Sequence, residues 1–268
     1  SGTKLRQATL KGAQLISANL FAADLSVASL DGADLTRADL RGACFRGAVL
    51  TDAAMTEADL REGVLAKYDA QRDLEVVTFG ATPAELTTVL AARADLSGAK
   101  LSNAFVVQAD FTDAILRGAQ LKRADLRNTV LTGADMSNAD LSDSNLSGAV
   151  MQGAMLSGAT WSNAVLDGAD LRGAAIDPEA LETAYFRSAK MPQPLETLGR
   201  SLGEVVSQHL IWVESSGAKG QQAVLSDVNL SGQDLRGANL AAAKLDRCIL
   251  LQGNFSAADM TMSDLSLT

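Results

Sequence analysis

Residues 5–40 read LRQATLKGAQLISANLFAADLSVASLDGADLTRADL. Leu5, Leu10, Leu15, Leu20, Leu25, Leu30, Leu35 and Leu40 fall on every fifth position, and Phe45, Leu50, Met55, Leu60 and Leu65 keep the register. Two residues before these centres stands a small residue: Ala8, Ala13, Ala18, Ala23 and onward to Ala58. On an α-helix of about 100° per residue, five residues turn about 500°, so the leucines drift by about 140° per repeat and form no stripe. A plain strand fails too, because five is odd and alternate leucines would face opposite sides. The spacing works when the chain turns a corner every five residues. The small residue and the centre then point inward, the residue between them points out, and the next two make the corner.

Working outward, the same period fills three arrays, with centres from Leu5 to Leu65, Leu96 to Ile176 and Leu225 to Leu265. The stretches DGADLTRADLRGA (31–43), LKRADLRNTVLTGADMSNADLSDSNLSGAV (121–150) and DLRGANL (234–240) carry the pattern A-[D/N]-L-x-x. On these residues the chain resembles the pentapeptide-repeat family. The resemblance implies an all-β solenoid, a right-handed quadrilateral β-helix of four pentapeptides per coil, with Leu layers inside. Ala is then required at the second inward position, where the square leaves no room for more.

Interruptions divide the chain into three expected parts. Residues 1–191 form the main β-helix, with an insertion at 66–93 that holds Tyr68, Phe79 and a short helix from Pro83 capped by Thr82. Residues 192–220 follow Pro192 and Pro194 with an amphipathic helix over 195–214, its apolar positions including Leu202, Val206 and His209 beside Trp212. The run His209, Trp212, Gly217, Gly220 resembles the helical cap preceding the first coil of some bacterial pentapeptide-repeat proteins. Residues 221–268 then make a short second β-helix, or else stack on the second array. Gln233 is large for an inward position there.

Composition excludes several functions. The 268 residues carry a net charge of −9 and a pI near 4.7, which argues against gripping nucleic acid phosphates. No run approaches the roughly 20 apolar residues of a membrane span, and no signal peptide is visible. The expected compartment is therefore the cytoplasm, for this chain or for a longer protein of which it is a fragment. Cys44 and Cys248 make neither a disulfide framework nor a zinc site. The glycines sit at corners and the Asp residues at outward slots, so they read as turn chemistry and local backbone bonding. His209 reads as a packing residue. No catalytic residue, cofactor or metal is expected.

What is left is surface. The candidate interaction residues are the outward apolars Ile16, Phe21, Phe105, Val130, Val150, Ile249 and Leu251, with Tyr68 and Phe79 of the insertion; Val130 and Val150, twenty residues apart, should stack. The expected function is a non-enzymatic bacterial scaffold module that binds an unknown protein partner, with self-association through an uncapped coil end as a further expectation. The resemblance implies an alternative, a DNA mimic of the quinolone-resistance branch that occupies the DNA site of gyrase. The thin, mixed charge speaks against it.

Overall fold

A computed structural model describes residues 2–64, 89–181, 186 and 188–268. Tyr68, Phe79 and the helix expected from Pro83 lie outside the described residues.

The corner is a β-turn. The Ala8 N–H donates to the Leu5 carbonyl at 3.0 Å, and the same bond recurs at Ala13, Ala18 and Ala23. The third residue of each turn is left-handed, with φ 59° at Gln7, 64° at Gly12 and 55° at Ser17, as in a type II turn. Between turns, one outward residue per repeat pairs in parallel with the residue twenty positions on: Lys4 with Asp24, Thr9 with Ser29, Gln14 with Asp34, Asn19 with Asp39. Five residues per side and twenty per coil give a four-sided coil. The ladder satisfies backbone groups that the narrow interior could not.

Inside, Leu25, Leu30, Leu35, Leu40, Phe45, Leu50, Met55 and Leu60 are fully buried, and Ala23 to Ala58 fill the second inward position. Thr129 and Ser144 replace Ala there and are equally buried. Each hydroxyl donates to a backbone carbonyl, of Val106 at 2.8 Å and of Leu141 at 2.6 Å. A small polar group is tolerated inside because that bond satisfies it.

From Val49 to Val64 the ladder offset becomes 41. Val49 pairs with Leu90, Ala54 with Asp95, Asp59 with Lys100 and Val64 with Phe105. One coil thus carries 21 extra residues, which is why the register shifts by one. The insertion expected at 66–93 is corrected here: Val89 and Ala91 are already buried coil residues and Arg93 is a left-handed corner. Ala91 occupies a centre, and an Ala there is silent to a search for spaced leucines.

The chain divides into two compact units. The first comprises Ser1–Met151, Met155–Ala169 and Ile176–Ala189. It ends with a one-turn helix α1, Pro178–Leu181, and with Phe186, whose ring meets Trp161 edge-on at 5.2 Å. Both aromatics are buried at centre positions.

The second unit comprises Gln152–Ala154, Asp170–Ala175 and Lys190–Thr268. The single helix expected over 195–214 is corrected to two pieces, a 3-10 turn at Leu195–Leu198 and α2 at Leu202–Glu214. Gly199, at φ 65°, closes the first. Ser201 caps α2 in a reciprocal box: its hydroxyl accepts from the Glu204 N–H, and the Glu204 carboxylate accepts from the Ser201 N–H. The linker expected from 192 is already laddered, because Gln193 pairs with Val228. Coils follow, with Val224 on Lys244, Asn229 on Ile249 and Asp234 on Asn254. Gln233 keeps the ladder through its carbonyl, which accepts from the Asn254 N–H at 2.9 Å.

Candidate interaction surface

The outward position of each repeat is where charge and chemistry could be displayed, and most of its acids are occupied. The Asp24, Asp34, Asp95, Asp110, Asp135 and Asp140 carboxylates each accept the backbone N–H two residues on, at 2.9 to 3.1 Å. Where that residue is Arg, the fork closes on the carboxylate as well: Arg41 on Asp39, Arg61 on Asp59, Arg127 on Asp125, Arg172 on Asp170 and Arg236 on Asp234, all at 2.6 to 2.7 Å. These bonds hold Asp39 and Asp59 below the usual carboxylate range against a smaller opposing effect of burial. Asp170, gripped by Arg172 and also by Gln152, is lowered to about 2. At Asp135 burial pulls upward, and hydrogen bonds from Ser137 and Arg117 outweigh it.

A shallow groove on the first unit is lined by Arg37, Asp39, Arg41, Glu57, Asp59 and Lys100, three charges of each sign. Among the described residues no three His, Cys, Asp or Glu side chains gather to hold a metal ion. Cys44 lies 3.3 Å from the Ser26 hydroxyl, and burial pushes the Cys248 thiol up to about 11 while it donates to the Leu225 carbonyl.

The outward apolars sort onto ladders. One runs Asp24, Cys44, Val64, Phe105, Asp125, and Phe21 stands in the corner just before Asp24. Phe21 is 54% exposed and Phe105 45%. The Arg41 guanidinium lies over the Phe21 ring, 5.5 Å from its centroid. The adjoining side carries Val49, Leu90, Asp110, Val130 and Val150, so Val130 and Val150 are direct ladder partners, both half-buried. Leu90, exposed on that ladder, escaped the sequence reading because it precedes a centre filled by Ala91. Ile16 is exposed one side before Phe21.

In the second unit Leu251 is exposed, but Ile249 is buried and is withdrawn from the surface set. Its outward slot predicted exposure; its side chain is enclosed all the same. The helix residues face the coils. Val205 is buried with Leu225, Leu230 and Leu240, and Leu202 and Val206 pack against that cluster. His209 is fully buried and stacks on Trp212 at 5.5 Å.

A solenoid of parallel four-sided coils with a five-residue period defines a class of protein. The pentapeptide repeats family matches the chain in eight copies, over residues 1–37, 28–65, 92–128, 116–148, 144–177 and 222–266. The chain belongs to the pentapeptide-repeat family, whose coils form a right-handed quadrilateral β-helix.

Among solved structures it is similar to HetL of the cyanobacterium Nostoc, described as involved in heterocyst differentiation regulation (23% identity, 98% of this chain, 87% of that one, TM-score 0.23). It is also similar to QnrB1, a plasmid-mediated fluoroquinolone resistance protein (17%, 75% and 100%, TM-score 0.34). A third is Rfr23 of the cyanobacterium Cyanothece (27%, 47% and 88%, TM-score 0.25). No protein of curated function matches. Among the described residues no helix is long and apolar enough to cross a membrane.

Proposed function

We propose that this protein is a non-enzymatic interaction module that presents rigid β-helix sides to a protein partner in the cytoplasm. The observation that carries this reading is Phe21. It is an exposed aromatic ring fixed at a hydrogen-bonded corner, with Arg41 over its face and Phe105 farther along the same side. Aromatic and Arg side chains dominate the energetics of protein interfaces, and a pre-organised backbone lowers the entropy lost on binding. The alternative, a phosphate-like mimic of DNA for gyrase, asks for unneutralised rows of acid. Here the outward acids are interrupted by their own chain's arginines.

The test is affinity capture by the intact protein and by a Phe21→Ala, Phe105→Ala double variant. A specific partner retained by the first and weakened at least tenfold in the second, with unchanged circular dichroism, supports the reading. Equal capture by both overturns the choice of surface.

A further inference from the structure

The turn that opens the coils of the second unit lacks its acceptor. In regular coils the inward small residue donates its N–H to the carbonyl three positions back, as Ala243 does to Leu240 at 2.9 Å. At Ala223 the acceptor is instead the Nδ1 atom of His209, at 3.0 Å, reaching across from α2. Gly220 lets the chain pass close enough: at φ 72° it leaves no space for a Cβ, which would stand 2.3 Å from the Gln208 carbonyl oxygen. A second bond, from the Gln221 N–H to that same carbonyl at 3.1 Å, completes the seam.

An acceptor at Nδ1 requires a neutral imidazole with its proton on Nε2. That nitrogen is enclosed and makes no well-formed hydrogen bond. We propose that His209 is an acid-sensitive latch: neutral, it holds α2 on the first coil of the second unit; protonated, it releases α2. Protonation converts the acceptor into a donor facing the Ala223 N–H and places a charge on a fully buried side chain.

Burial lowers the affinity of His209 for a proton, and the Leu240 and Ala241 carbonyls oppose this only in part. Among the described residues, the groups that shift the imidazole are its burial and these two backbone carbonyls, with no charged side chain beside them. On the packed elements, Glu204 is held low by the Ser201 N–H and hydroxyl, and Cys248 titrates at about 11, so neither changes state between pH 7 and 5. Because the folded value is depressed, the stabilisation is complete above about pH 6.5 and is lost as pH falls from there toward the folded value.

His209 is the chain's one histidine, so its ring signals can be followed by NMR in the intact protein without assignment. The expected result is a midpoint below 6.5. Exchange of the Ala223 amide and of amides in 202–214, corrected for intrinsic rates, should rise by up to about tenfold per pH unit over the same range. A His209→Gln variant, which keeps an acceptor and loses the titration, should show no such rise. An imidazole midpoint at or above 6.5, or equal corrected exchange at pH 7 and 5 in the parent protein, overturns the latch. Both readings on the parent stand even if the variant does not fold.

Discussion

The Arg172 guanidinium closes on Asp170, two residues before it, with Nε to Oδ1 at 2.9 Å and Nη2 to Oδ2 at 2.6 Å. The same Asp accepts from Gln152 at 2.8 Å, and Arg172 lies 3.6 Å from Asp227. Most forks of this kind in the chain are solvent-facing, and such pairs contribute little. This one is half-buried, so Arg172→Ala is expected to cost roughly 1–2 kcal/mol in urea unfolding. Arg236→Ala, on an exposed fork, should leave the midpoint almost unchanged.

Acid should destabilise the fold in a defined window. Asp170 is lowered to about 2, and Asp39, Asp59 and Asp140 are lowered by hydrogen bonds from Arg41, Arg61 and Ser142. Depressed carboxylates give stability that is present above about pH 4 and lost as pH falls through their folded values. Thermal midpoints are therefore expected to drop between pH 4 and 2. Asp170→Asn should flatten that drop.

Corner strain is local and removable. Val27 holds φ 59°, a conformation that costs a β-branched residue roughly 1–2 kcal/mol. Val27→Asn, which suits the left-handed region, is expected to raise stability by about 0.5–1 kcal/mol in chemical denaturation. Gly173→Ala should do the reverse. Its Cβ would stand 2.2 Å from the Leu267 carbonyl oxygen at φ 73°.

Interior and surface should separate cleanly. Leu35 is fully buried, and Leu35→Ala is expected to cost about 2–5 kcal/mol. Phe21→Ala should cost under about 0.5 kcal/mol, because the side chain is exposed at a corner. Comparable losses at the two positions would mean that Phe21 is a fold residue.

A supercoiling assay addresses the alternative function. With the outward acids paired to Arg41, Arg61 and Arg127, micromolar protein is expected to leave DNA gyrase unaffected. Inhibition would restore the DNA-mimic reading.

The fold was legible because its period is physical: five residues per corner put the small residue and the centre of each repeat inside, as with Ala23 and Leu25. Legibility ended where that signal is silent. Ala91 fills a centre without being a leucine, so the coil resumes at Val89, earlier than spacing indicates. Gly199 splits a run whose apolar spacing reads as one helix. Ile249 occupies an outward slot yet is buried, because a repeat position specifies direction and not what covers the side chain. The role of His209 was visible only as packing, since the missing turn carbonyl that it replaces is a property of the coil start.

The central claim is that one β-helix side, marked by Phe21 and Phe105, meets a protein partner. Site-specific photo-crosslinking tests it most directly, with benzoylphenylalanine placed at position 21, at position 105 and at the control position Thr132. The account predicts one protein adduct of the same mass from positions 21 and 105 and none from 132. Equal adducts at all three positions, or none at 21 and 105, would contradict it.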